Sequence, residues 1–127
     1  MAPTAVVVVN DDPTFQAQLA QRLAETAYAP MPQPTPAAAR AQLTAVQPAA
    51  VVVKLPSTSP AQEQALLTHL QQDPTSRQIP VLLCSDHPAL LQRAVRALQP
   101  RPGVVLASTP DADELVAKLA AAAERHP

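Results

Sequence analysis

The sequence is poor in glycine, cysteine and aromatic residues, and each shortage excludes a class of protein. Its 127 residues include one glycine, Gly103, one cysteine, Cys84, and 2% aromatic residues. A single glycine cannot form the glycine-rich loops with which dinucleotide-binding and P-loop proteins hold phosphate groups. A single cysteine cannot form a disulfide within the chain, which favours an intracellular protein. Because aromatic residues are so scarce, the core must be built from Val, Leu and Ala.

Charge is also scarce, and neither sign dominates. The formal net charge is −1, whereas domains that bind nucleic acid through bulk charge carry a basic excess. The apolar run near the N-terminus is too short for a signal peptide or a membrane span, and no basic segment precedes it. We therefore expect a cytoplasmic protein whose partners are neither nucleic acid nor membrane. The length predicts one domain over residues 1–127.

Proline is abundant, with 16 residues, and several prolines mark the starts of helices. Proline is tolerated in the first helical turn because the missing N–H has no partner there. Four prolines follow directly after a residue able to cap a helix, and Asp111 begins a fifth segment with capping-box spacing. Apolar residues at helical spacing follow each start. The pattern predicts five helices, which begin at Pro13, Pro36, Pro60, Pro88 and just after Asp111.

Short apolar runs rich in β-branched residues lie between the predicted helices. Four of them show no alternation of polar and apolar residues, which is typical of strands that are buried on both faces of a parallel sheet. Strand and helix signals alternate along the chain, so the sequence predicts an α/β fold. The four predicted strands cover residues 5–9, 49–53, 79–84 and 104–107.

The segment 28–36, YAPMPQPTP, has proline at every second position from 30 to 36. In an extended strand, N–H groups two residues apart point to the same side. Pro30 and Pro32 would therefore remove donors from one side only, and the N–H of Met31 would still face a neighbour. This pattern favours an edge strand whose proline side faces solvent and resists edge-to-edge association. The alternative is a polyproline-like connector without ladder bonds.

Polar residues follow the predicted strands at their carboxyl ends. In open parallel α/β sheets, this edge of the sheet carries the binding crevice. Lys54 is one of only two lysines in the chain, and it ends a run of three valines. The residues at this edge are Asn10, Asp11 and Asp12 after the first strand, Lys54 at the end of the third, Ser85 after the fourth, and Thr109 after the last.

These segments resemble the receiver domain of two-component response regulators over nearly the whole chain. The stretch VVVVNDDPTFQAQLAQRL is similar to the family's first strand, acidic cluster and first helix. QPAAVVVKLP is similar to its third strand, QQDPTSRQIPVLLCS to its fourth, and VVLASTPDADEL to its fifth. The resemblance implies a flavodoxin-like (βα)5 three-layer sandwich with a parallel five-stranded sheet in the order 2-1-3-4-5, which places the second strand at an edge.

The resemblance also assigns the functional positions. In the family, two acidic residues after the first strand help to hold Mg²⁺, and an aspartate ending the third strand accepts a phosphoryl group from a histidine kinase. A Thr or Ser and a lysine after the last two strands contact that group. The matching residues here are Asn10 and Asp11, Lys54, Ser85 and Thr109, with Asp12 following Asp11.

Lys54 therefore stands where the family needs its phosphoacceptor. A lysine cannot form the acyl phosphate, and its positive charge opposes a divalent cation. We expect no cofactor, with Asp11 as the only strong residual metal ligand. A charge at the end of a buried strand is usually paired, so we expect an ion pair between Lys54 and Asp11, with Asn10 or Asp12 as additional partners. The alternative is that Lys54 extends to solvent. Asp12 is itself a predicted helix cap.

These observations favour a pseudo-receiver that is not an enzyme and that acts through protein–protein contacts. The expected partner is a histidine kinase, an effector, another regulator or a second copy of the chain. No effector domain follows residue 127, so output requires another chain unless the sequence is a fragment. The alternatives are a ligand-binding or enzymatic flavodoxin-like domain and a receiver phosphorylated at an unusual residue such as Asp11 or Asp12. The resemblance places the output surface on the last two helices and the last strand, with Arg93, Arg96, Leu106, Asp113 and Lys118 as candidates.

Overall fold

Strands and helices alternate along the chain. A computed structural model describes residues 4–26, 28–55, 60–98, 104–107 and 111–125. The strands are Thr4–Val9 (β1), Tyr28–Gln33 (β2), Ala50–Lys54 (β3), Val81–Cys84 (β4) and Val104–Ala107 (β5). The helices are Pro13–Ala24 (α1), Pro36–Ala45 (α2), Pro60–Gln72 (α3), Pro88–Leu98 (α4) and Ala112–Arg125 (α5), and a 3-10 turn covers Ser76–Gln78.

The five strands form one parallel sheet in the order β2-β1-β3-β4-β5. Alternate residues of the central strands enter two separate apolar clusters. Val7 and Val51 belong to the cluster that includes α2, α3 and α4, whereas Val8 and Val52 belong to the cluster that includes α1 and α5. Helices therefore cover both faces of the sheet, which explains why the strands are apolar without alternation. The predicted flavodoxin-like (βα)5 fold is confirmed.

The proline-rich segment forms the edge strand β2, so the prediction of an edge strand rather than a connector is confirmed. Its register on β1 pairs Val6 with Pro30 and Val8 with Pro32. The N–H of Asn10 donates to Gln33 O at 3.1 Å, which shows that the backbone of Gln33 faces β1. By alternation, Pro30 and Pro32 turn their missing donors away from β1.

The predicted helix starts at Pro13, Pro36, Pro60 and Pro88 are confirmed. Asp12 Oδ1 accepts from the N–H of Thr14 at 2.9 Å, and Thr35 Oγ1 accepts from the N–H of Ala38 at 3.1 Å. The cap predicted at Ser59 lies outside the described residues. Among the helices that are described, none combines the length and the apolar character needed to cross a bilayer.

Three predicted strands differ from the structure by one or two residues at an end: β1 begins at Thr4, β3 covers Ala50–Lys54, and β4 begins at Val81. Helix α2 ends at Ala45, because Val46 has extended backbone angles of φ −130° and ψ 139°. Strand β4 begins at Val81 and not at Ile79, because the 3-10 turn Ser76–Gln78 directly precedes Ile79.

The helix cap formed by Thr35 can be tested by mutation, with a second threonine that forms no cap as the control. Replacing Thr35 by alanine should lower the free energy of unfolding by about 1 kcal/mol, since the first turn of α2 loses its side-chain acceptor. Thr75 precedes the 3-10 turn, but its side chain makes no capping bond, so Thr75→Ala should change stability by less than about 0.5 kcal/mol. Urea unfolding of the two variants measures the difference, and equal losses would contradict the assignment.

Candidate functional site

Lys54 ends β3, and its side chain is held by the start of α1. Its Nζ lies 3.5 Å from Asp12 Oδ2, and 24% of the Lys54 side chain is exposed. The same Nζ lies 5.0 Å from the centroid of the Phe15 ring. An ammonium near the face of an aromatic ring is attracted by the negative charge of that face. The structure therefore places Lys54 in a contact with a carboxylate and a ring, and not in free solvent.

The predicted ion pair of Lys54 with Asp11 is wrong, because the partner is Asp12. Asp11 is exposed, and within the described part of the chain it contacts no cation. The reason is the change of chain direction after β1. Asp11 lies at a bend and is exposed, whereas Asp12 caps α1, whose start lies next to Lys54.

Asn10 joins the end of β3 to the start of α1. The side chain is buried, with 5% exposure. Its Nδ2 donates to Lys54 O at 3.4 Å, and its Oδ1 accepts from the N–H of Asp12 at 2.8 Å. A carboxylate at this position could accept the second bond but could not donate the first. The amide found here therefore fits the surrounding backbone better than the acid that the family carries.

Gln16 is a residue of the site that the sequence did not reveal. Its Nε2 donates to Asn10 O at 2.8 Å and to Val8 O at 2.9 Å, and Gln33 O lies 3.5 Å away. One amide group therefore connects α1 to the ends of β1 and β2. The helix also carries the exposed Gln18 and Gln21, and the sequence gives no signal that separates Gln16 from them.

Ser85 and Cys84, at the end of β4, are engaged by their own neighbours. Ser85 is buried, its Oγ accepts from the N–H of His87 at 3.0 Å, and its N–H donates to Ala107 O at 3.2 Å. Burial raises the pKa of the Cys84 thiol to about 12, although the charge of Lys54 acts in the opposite direction. The thiol is therefore neutral at physiological pH. Thr109, the last predicted member of the site, lies outside the described residues.

The carboxylate of Asp12 is stabilised in its charged form. Its pKa lies below the ordinary value of 3.8, chiefly because the N–H of Thr14 donates to it. Partial burial opposes this shift, and the N–H of Phe15 and the charge of Lys54 add to it. Asp12 is therefore ionised at neutral pH and is available to pair with Lys54.

The lowered pKa predicts how stability changes in acid. The unfolded chain protonates Asp12 more readily than the folded chain, so this contribution is present above about pH 4 and is lost as the pH falls through the folded pKa. Asp12→Asn keeps a good cap but cannot ionise. The free energy of unfolding of Asp12→Asn should therefore be lower than that of the wild type at pH 7, and this difference should become smaller as the pH approaches 2.5. Urea unfolding at several pH values measures this, and a deficit independent of pH would contradict the role of the charge.

The residues at this edge of the sheet do not fit the Mg²⁺ ion that the receiver resemblance implies. Asp12 Oδ1 accepts from the N–H of Thr14, and Asp12 Oδ2 pairs with Lys54 Nζ. Asn10 Oδ1 accepts from the N–H of Asp12. Mg²⁺ requires a near-octahedral set of oxygen ligands, and Lys54 adds a positive charge. Among the described residues, no group of three or more His, Cys, Asp or Glu side chains is placed to hold a metal.

Four of the five predicted output residues lie on one surface, formed by α4, β5 and the part of α5 that contacts β5. We call this surface the α4–β5–α5 face, and its four predicted residues are Arg93, Arg96, Leu106 and Lys118. Arg93 and Arg96 are exposed on α4, and Leu106 is 42% exposed on the edge strand β5. Lys118 Nζ donates to Leu106 O at 2.8 Å and lies 3.5 Å from Glu114 Oε1. Lys118 therefore covers a backbone acceptor of the sheet edge.

Asp113 does not share this face, which corrects the sequence prediction. Its Oδ1 lies 3.0 Å from Arg22 Nε on α1, and both side chains are largely exposed. The position of Asp113 in the first turn of α5 brings it to the side where α5 packs on α1. Its charge is thus directed toward α1 and away from α4.

Comparison with known proteins gives structural matches only. No protein-family model and no curated protein sequence matches the chain. The receiver domain of the Francisella response regulator 1452 has a TM-score of 0.77 at 14% identity, covering 98% of this chain and 99% of that one. A sensor protein from Polaromonas sp. JS666 has a TM-score of 0.78 at 20% identity, covering 98% of both chains.

A third solved structure contains Mg²⁺ and BeF. It is the response regulator TrrA from Thermotoga maritima in complex with Mg²⁺ and BeF, with a TM-score of 0.74 at 15% identity, covering 94% of this chain and 98% of that one. At such identities the likeness shows the fold. The chain has the fold of response-regulator receiver domains.

Proposed function

We propose that this chain is a signalling domain of the receiver type that has lost phosphorylation at the end of β3 and acts by binding another protein. The observation that carries the proposal is the position of Lys54, whose Nζ is 3.5 Å from Asp12 Oδ2. The lysine occupies the strand end at which the receiver resemblance requires an aspartate. Its ammonium neither accepts a phosphoryl group as an acyl phosphate nor favours Mg²⁺ binding nearby.

An enzymatic role finds no support in the described residues that carry nucleophilic groups. Ser76, His69 and Asp73 lie close together, with Ser76 Oγ 3.4 Å from His69 Nε2. However, Ser76 is only 1% exposed, and Asp73 Oδ2 accepts from the N–H of Ser76 at 2.9 Å. In a catalytic triad the acid orients the histidine and the serine meets the substrate. This group instead fixes the turn after α3.

The surface proposed for the partner is the α4–β5–α5 face. It combines two exposed arginines with the exposed side chain of Leu106. Arginine is frequent at the energetic centres of protein interfaces, and the exposed Leu106 side chain offers apolar surface that a partner would remove from water. A histidine kinase, an effector, another regulator or a second copy of this chain are the partners that such a module would bind. The proposal places these encounters in the cytoplasm.

The proposal is tested by incubating the protein with Mg²⁺ and a small-molecule phosphoryl donor and measuring the intact mass. A receiver domain that retains the aspartate serves as the positive control. We expect no gain of a phosphoryl group on this chain, whereas the control gains one. A phosphoryl group found on Asp11, on Asp12 or elsewhere in the pocket would contradict the proposal and would support phosphorylation at an unusual residue.

A further inference from the structure

Every ion-pair and ring contact of the Lys54 side chain within the described residues is made to the start of α1. Asp12 caps this helix, and Phe15 lies in its first turn. Asn10 adds a link between the Lys54 carbonyl and the N–H of Asp12. Gln16 fixes the same turn from the ends of the strands. The side chain at position 54 is thus part of a set of contacts that determines where α1 begins.

The other side of the pocket is held by different contacts. Ser85 Oγ accepts from the N–H of His87, and the N–H of Ser85 donates to Ala107 O. These two hydrogen bonds join β4 to the start of α4 and to β5, and neither of them is made by Lys54. The N–H of Leu55 donates to Cys84 O at 2.9 Å. That bond is made by the main chain, so it does not depend on which side chain stands at position 54.

We infer that Lys54 positions the first turn of α1 and leaves the α4–β5–α5 face unchanged. The two lysines of the chain then act on separate halves of the molecule: Lys54 on the start of α1, and Lys118 on β5 through Leu106 O. The charge of Lys54 also acts on the Cys84 thiol in β4, but that thiol is neutral, so the ion pair with Asp12 carries a change of charge at position 54 to α1. This inference deepens the proposed function and rests on it, because it states which surface the altered pocket controls.

The two lysines supply a matched pair of variants for the test. Backbone amide chemical shifts are compared between the wild-type protein, Lys54→Met and Lys118→Met, each of which loses one ammonium group and keeps an unbranched side chain. For Lys54→Met we expect changes at Asp12, Thr14 and Phe15 that are several-fold larger than any change at Arg93, Arg96 or Leu106. For Lys118→Met we expect the reverse.

Other outcomes overturn the inference. Changes at Arg93, Arg96 or Leu106 in Lys54→Met as large as those in α1 would show that the pocket reaches the α4–β5–α5 face. Unchanged amides in α1 would show that Lys54 does not position it. If Lys118→Met left Leu106 unchanged, the assignment of Lys118 to β5 would be wrong.

A second variant keeps the inference testable if Lys54→Met fails to fold. Asp12→Asn removes the same ion pair from the other side and retains a good helix cap, so it should give the same pattern of shifts as Lys54→Met. None of these measurements uses a phosphoryl donor. A phosphoryl group gained by the wild-type protein would contradict the proposed function, whereas the shift pattern alone decides whether Lys54 acts on α1.

Discussion

Replacing Gln16 by alanine should lower the free energy of unfolding by about 1–3 kcal/mol, a large effect for a partly exposed polar side chain. The amide group donates to Asn10 O and Val8 O at 2.8 and 2.9 Å. Removing a donor and leaving its partly buried acceptor without a replacement costs the desolvation of that acceptor. Urea unfolding, with the slope of the transition checked for constancy, measures the loss.

Gln18 provides the control for this prediction, because it is exposed on the same helix. Gln18→Ala should change stability by less than about 0.5 kcal/mol. If the two alanine variants lost equal stability, the loss would come from the helix and not from the bonds made by Gln16, and the role given to Gln16 would be wrong.

Gln16→Glu tests the direction of these hydrogen bonds. The new carboxylate would face carbonyl oxygens without a proton to donate, so its folded pKa should lie above the ordinary value of about 4.3. A raised folded pKa means that stability is greatest below the unfolded pKa and is lost as the pH rises through the folded value. The deficit relative to the wild type should therefore be small near pH 3 and large at pH 7. A deficit that grew in acid would contradict the assignment.

Replacing Lys54 by aspartate should make the stability of the protein depend on Mg²⁺. The change removes the cation next to Asp12 and adds a carboxylate beside it, and a divalent cation relieves the repulsion between the two carboxylates. A ligand present at a hundredfold excess over its Kd stabilises the folded state by about 2.7 kcal/mol, or a rise of about 10 °C in Tm. Thermal unfolding with and without Mg²⁺ measures the effect.

Two proteins serve as controls for this prediction. The wild type should show no rise in Tm with Mg²⁺, because Lys54 holds Asp12 and opposes a second cation. Lys54→Asn should also show none, because it removes the ammonium without adding a carboxylate. A wild-type Tm that increased as much as that of Lys54→Asp would mean that the pocket binds Mg²⁺ in the presence of the lysine.

The sequence predicted the fold well because its signals were local and mutually consistent. Capping residues before prolines predicted the starts of four helices, and unbroken apolar runs predicted buried parallel strands. The spacing of Pro30 and Pro32 predicted an edge strand, and β2 lies at the edge. The prediction came from asking which N–H groups a neighbour could use, which depends only on the alternation of the backbone.

The site was predicted less completely because its contacts depend on where side chains point. The strand ends were correctly placed together, but Asp11 was chosen as the main partner of Lys54 because the first and third strands are adjacent, with Asn10 or Asp12 only as additional partners. The chain bends at Asp11, and the position of Asp12 as the cap of α1 brings its carboxylate to Lys54. Gln16 could not be recognised, because its bonds reach the ends of two strands and depend on how α1 packs on the sheet. Asp113 was grouped with α4 for a similar reason, since only the packing of α5 on α1 reveals its contact with Arg22.

The central claim is that Lys54, held by Asp12, has replaced the phosphoacceptor. A crystal structure of the wild-type protein grown with Mg²⁺ and beryllofluoride tests it most directly. We predict that Lys54 Nζ remains in contact with the Asp12 carboxylate and that the ends of β1 and β3 hold neither the metal nor the fluoride complex. A beryllofluoride group bonded to Asp11 or Asp12, with Mg²⁺ beside it and Lys54 displaced, would contradict the claim.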